Sequence, residues 1–153
     1  MDAIWEAMLE AAKAVQNDRK VSDYVEAGCV AAAIRSASGR IYTGVCVDTA
    51  STLGICAERN AIFQMLTAGE NRLERVAAVM PNGKCGAPCG ACREFFMQLS
   101  HDNADMEIMV DYAARETVTL GELMPAWWGT ERYQTAERQA ETTGADDPER
   151  TEL

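Results

Sequence analysis

Along the first seventeen residues, apolar side chains recur every three or four positions: Ile4, Met8, Ala11, Ala12 and Val15, with Glu6, Glu10 and Lys13 between them. That period makes one apolar stripe and predicts an amphipathic helix over 2–17. Two denser apolar runs follow, 28–35 (GCVAAAIR) and 40–47 (RIYTGVCV). Both are strand-like, and the short, Gly-ended link Ser36-Ala37-Ser38-Gly39 predicts an antiparallel hairpin. Helical spacing returns over 55–68 and stops at Gly69, a natural C-cap. Residues 74–80 read as a strand stopped by Pro81-Asn82-Gly83, and 89–100 as a helix with Pro88 just before it. Residues 106–111 read as a strand and 119–124 as a short helix.

This order is that of an α/β fold. After the hairpin, alternating strands and helices predict parallel strands joined by right-handed crossovers, with helices on both faces of the sheet. Sites in such folds form at strand C-ends and helix N-ends. Past Gly129 the pattern fades. Residues 130–153 hold seven acids and three arginines, and their large apolar residues are nearly limited to Tyr133 and Leu153. We expect a compact unit over 1–129 and a polar acidic tail over 130–153, first a fraying helix and then disordered.

A chain of 153 residues can bury a core without disulfide staples. It has no apolar run near the roughly 20 residues of a membrane span. Its start, Met1-Asp2-Ala3-Ile4-Trp5-Glu6, lacks a basic, apolar leader. A net charge of −10, with Lys13, Lys20 and Lys84 as its only lysines, argues against a nucleic-acid polymer as partner. A small-molecule ligand, no membrane and a cytoplasmic location are the expectations. The six cysteines therefore read as metal, redox or core residues rather than disulfides. Only one histidine, His101, is present, and it reads as a surface residue.

Two segments carry chemistry: Cys56-Ala57-Glu58-Arg59 and Pro88-Cys89-Gly90-Ala91-Cys92-Arg93. Each lies at a predicted helix N-terminus. Cys89 and Cys92 share a helix face. Zinc–sulfur bonds of about 2.3 Å at tetrahedral angles set sulfurs about 3.8 Å apart, which that face supplies. Cys56 would be a third ligand, leaving the fourth position open, as in catalytic zinc sites. Glu58 is placed to shuttle protons beside the metal. Zinc with three thiolates carries a net negative charge, so the Arg59 guanidinium and two helix N-termini would restore Lewis acidity. Cys29 and Cys46 lie in strands and read as core residues. Cys85 is the alternative fourth ligand, which would close the site and make it structural.

CAER followed by PCGACR resembles the zinc-dependent cytidine deaminase family in its three-cysteine form. VAAAIRSASGRIYTG and ELMPAWWG are similar to further segments of that family, so the likeness spans about residues 20–129. The resemblance implies a three-layer α/β/α sandwich with a mixed sheet of four to five strands. It implies Zn²⁺ on Cys56, Cys89 and Cys92, Glu58 moving protons, and commonly a homotetramer. It also implies hydrolytic deamination of a cytosine nucleoside or analogue. Substrate contacts then fall at Cys46, Asp48, Ala57, Pro88 and Trp128, the last toward a neighbouring subunit. The sugar-reading positions depart from the family: its Asn-x-Glu reads Cys46-Val47-Asp48, and an aromatic position falls near Gly28. Segments around Tyr24, GRI and TGV also resemble blasticidin S deaminase, which acts on a modified cytosine nucleoside. Another aminated heterocycle as substrate, a non-catalytic zinc module and a nucleic-acid-editing deaminase are the alternatives.

Overall fold

The structure is a computed structural model, and residues 2–143 are described. Asp2 caps the first helix, α1 (Ala3–Val15), by accepting from the Trp5 N–H. Then come β1 (Arg19–Lys20), β2 (Val25–Ser36), β3 (Ile41–Thr49), α2 (Ala57–Thr67), β4 (Leu73–Val79) and α3 (Gly90–Leu99). A 3₁₀ turn over His101–Asp105 leads to β5 (Glu107–Asp111), β6 (Glu116–Thr119), α4 (Leu120–Leu123) and α5 (Thr130–Thr143).

Leaving aside the two-residue β1, the sheet order is β3–β2–β4–β5–β6. Among the described residues the sheet has six strands rather than the expected four to five. β1 has no apolar residue and β6 is a four-residue ETVT, so neither carries a periodic signal. The parallel expectation holds only for β4 and β5. β2 is antiparallel to both β3 and β4, because the chain makes a hairpin and then crosses to the far side of β2. As a result β3, β4 and β5 all point the same way.

Alternation in β2 sorts the core into two layers. Ala31 and Ala33, with Ala77, Val79 and Met109, meet Trp5, Met8, Leu9 and Ala12 of α1. On the opposite face Ile34, Val76 and Ile108 meet Ile62 and Met65 of α2 and Phe96 of α3. This is a three-layer α/β/α sandwich. The α2 backbone rides directly on β3 at Gly44, where an added Cβ would lie 2.4 Å from the Ala61 N. Asn103, fully buried, accepts from the Leu73 N–H at 2.8 Å and donates to the Phe96 carbonyl at 3.0 Å, tying α3 to β4.

The helical part of the acidic tail is α5. It docks on the body: the Tyr133 hydroxyl donates to the Met97 carbonyl at 2.9 Å, and its ring stacks on the exposed His101. The expected disordered stretch falls on 144–153, outside the described residues.

Candidate active site

The common direction of β3 and β4 builds the site. The two strands flank β2, so the chain leaves the sheet twice at the same end. The first exit reaches Cys56, the residue capping α2, and the second reaches Cys89, the residue capping α3. The first exit is held by reciprocal backbone bonds between Val47 and Ile55, 2.9 and 2.8 Å. In the second, the Pro88 carbonyl accepts from Arg93 Nε at 2.8 Å.

Cys56 Sγ lies 3.5 Å from Cys89 Sγ, and Cys89 Sγ 3.7 Å from Cys92 Sγ. All three sulfurs lie within 4.8 Å of one another. A tetrahedral zinc needs about 3.8 Å between sulfurs, so the three thiols fit that ion. Cys85 is not among them. It packs against the α1 layer, beside an isolated backbone bridge to Val79, and does not close the site.

Electrostatics follow position. Burial raises the Cys56 thiol pKa, against the lowering hydrogen bond from Arg59. Burial, then the charges of Glu58 and the other two thiols, raise that of Cys92. For Cys89, burial is outweighed by the N–H groups of Cys92 and Ala91 and by the neighbouring thiols, and its pKa falls. Such a thiol at a helix N-terminus is the first to ionise. Arg59 Nη2 donates to Cys56 Sγ at 3.6 Å. Glu58 is buried at 5% exposure, and burial pushes its carboxyl above the usual carboxylate range.

A cavity of about 500 Å³ opens over these groups, and Cys46, Asp48, Ala57, Glu58 and Arg59 all face it, with Cys56 and Cys89. Cys92 lies beneath it, fully buried. One expected contact, Pro88, is buried and does not line it. Trp128, expected toward a neighbouring subunit, lies against the outer side of α3. There the Trp127 and Trp128 indole N–H groups both donate to Glu94, each at 2.8 Å. Cys29, read as core, is half-buried and lines the cavity instead. Gly28 accounts for it: φ is +90°, and a Cβ there would lie 2.0 Å from the Asn17 carbonyl oxygen. Ala27 pairs with Val47 but Ala31 with Val45, so the bulge at Gly28 turns Cys29 toward Cys46.

A profile of the cytidine and deoxycytidylate deaminase zinc-binding region matches residues 3–106. The chain belongs to this family. It is a zinc-dependent deaminase, and Cys56, Cys89 and Cys92 fit its zinc site. The deaminase is 27% identical to the cytidine deaminase of Sporosarcina psychrophila over 111 residues, 72% of this chain and 82% of the relative. It is 27% identical to that of Mycoplasma genitalium over 90 residues, 58% and 69% of the two chains. The crystal structure of cytidine deaminase from Mycobacterium leprae superposes with a TM-score of 0.66 and 31% identity, covering 81% of this chain and 99% of that one.

Proposed function

We propose that this deaminase hydrolyses the ring amine of a cytosine nucleoside or nucleoside analogue, leaving a carbonyl and ammonia. The observation that carries the reading is Glu58, a buried carboxyl facing the same cavity as two of the three thiols. Zinc, when bound, supplies Lewis acidity that makes a water a competent nucleophile at neutral pH. Glu58 would take one proton from the attacking water and give it to the ring nitrogen, then take the second from the new hydroxyl and give it to the amine as the C–N bond breaks and the carbonyl forms. A carboxyl whose proton affinity is raised by burial is suited to carry each proton. Arg59 and the α2 and α3 N-termini offset the thiolate charge.

Sugar recognition is where the chain differs. Asp48 is one methylene shorter than the family's Glu, and Cys46 offers a weak hydrogen bond where the family has an amide. Gly28 leaves no room for an aromatic side chain, because the Asn17 backbone backs onto it. These features favour a modified nucleoside over cytidine itself, with another aminated heterocycle as the second reading. The test is ammonia release across cytidine, deoxycytidine, blasticidin S, free cytosine and amino-purine and pterin rings. We expect low kcat/KM on cytidine and better turnover of an analogue. Cytidine turnover at about 10⁴ M⁻¹s⁻¹ or above would overturn the altered-substrate reading.

A homo-oligomer, a tetramer by family likeness, completes the proposal. Phe63 and Trp128 are exposed at 47% and 65%, and Phe63 and Phe95 stack edge to face on the α2–α3 surface. Such apolar surface suits a subunit contact. A monomeric mass by light scattering with full activity would overturn it. Six free cysteines support a reducing, cytoplasmic setting. Among the described residues no helix is long and apolar enough to cross a membrane.

A further inference from the structure

We propose that Cys29, Cys46 and Asp48 form a second metal site, for a thiophilic divalent cation such as zinc, in the wall of the same cavity. The two sulfurs are 3.4 Å apart, and both lie within 4.8 Å of an Asp48 carboxylate oxygen. Zinc in a thiolate site needs sulfurs about 3.8 Å apart, a few tenths from what the strands already provide. Two sulfurs and a carboxylate are ligands of the type that such a cation takes.

The donors are held from behind. The bulge at Gly28 turns Cys29 toward Cys46, and Gln16 Nε2 donates to the Cys29 carbonyl at 2.8 Å. The Val30 N–H points at Cys46 Sγ, 3.3 Å away, and would support it as a thiolate. Charge favours a cation. The side chains acting electrostatically on Cys29 are Cys46, Asp48 and Asp18, all acidic, and together with burial they raise its pKa to about 11. At the Cys56 site Arg59 supports the thiolates; here a cation would do so. A bound metal deprotonates its thiol ligands outright, so the raised pKa is the cost of the empty pair and not of the loaded one. Three protein ligands leave a coordination position for water or for an oxygen of whatever fills the cavity.

The test is cadmium binding to the full chain under reducing conditions, read as metal per chain and as thiolate-to-cadmium absorption. Wild type should hold two ions. C29S and C46S should each hold one, as should C56S, while C85S should hold two. Circular dichroism checks that each variant folds; should C46S fail, the half-buried Cys29 decides. Asp48→Asn should weaken the second ion only. One ion in wild type, or two in both C29S and C46S, would overturn the proposal. So would a loss of two thiols without reductant, with one ion bound after reduction, since that assigns the pair to a disulfide.

Discussion

Arg59 donates to Cys56 Sγ at 3.6 Å from one turn further along the same helix. The contact puts a fixed positive charge against one of three thiolates that together exceed the charge of the metal. Arg59→Ala should therefore weaken zinc binding roughly 10- to 100-fold, the usual effect of losing a group that supports a metal ligand. Competition with a chelator of known affinity measures it. Unchanged affinity would mean that the helix N-termini suffice.

Cys85 serves as the control for the ligand set. Because it packs on the α1 layer, Cys85→Ser should leave the metal count unchanged. Cys92→Ser should lose the ion bound by Cys56 and Cys89. Equal loss in both variants would argue for a closed, structural site.

Much of this was legible in the chain. α1, the hairpin, α2, β4, α3, β5 and α4 all carry apolar periodicity, a cap or a proline boundary. The thiol triad was legible because Cys-x-x-Cys fixes two ligands on one helix face. What stayed hidden depends on distant backbone. Cys29 reads as an ordinary strand residue until the bulge at Gly28 turns it into the cavity. The Glu94 contacts to Trp127 and Trp128 span more than thirty residues and follow from no local pattern. β1 and β6 are too short and polar to register as strands.

Asn103 should be a sensitive core position. Its side chain binds the Leu73 N–H and the Phe96 carbonyl where water does not reach. Asn103→Ala strands both backbone groups, at about 1–3 kcal/mol for each buried polar group left unpaired. Urea unfolding should show a loss of about 2–6 kcal/mol. A loss under about 0.5 kcal/mol, as at an ordinary surface site, would contradict the burial.

Glu70 gives a pH signature away from the metal. Hydrogen bonds from Ser36, Tyr42 and Ser38 hold its carboxyl down at about 2, against an ordinary 4.5. The Tyr42 hydroxyl lies 2.6 Å away. A carboxyl depressed by folding stabilises the fold fully above about pH 4.5 and loses that contribution as pH falls toward 2. The stability difference between wild type and Glu70→Gln should therefore shrink steadily across that window. A constant difference would show that the carboxylate charge is not what counts.

Restoring the family's sugar contacts should move specificity. The double substitution Cys46→Asn with Asp48→Glu returns an amide and a longer carboxylate to the cavity wall. It should raise kcat/KM on cytidine relative to any analogue that wild type prefers. A fall on both would indicate that the wall is shaped for something other than a ribose.

The most direct measurement compares ammonia release by wild type and Glu58→Gln, both zinc-loaded and both counted for metal, on the best substrate of the panel. The account predicts equal zinc, equal folding and a rate about 10²- to 10⁴-fold lower in the variant, the range for a lost general acid–base. Glu58→Gln that keeps its zinc and releases ammonia at near wild-type rate would contradict it.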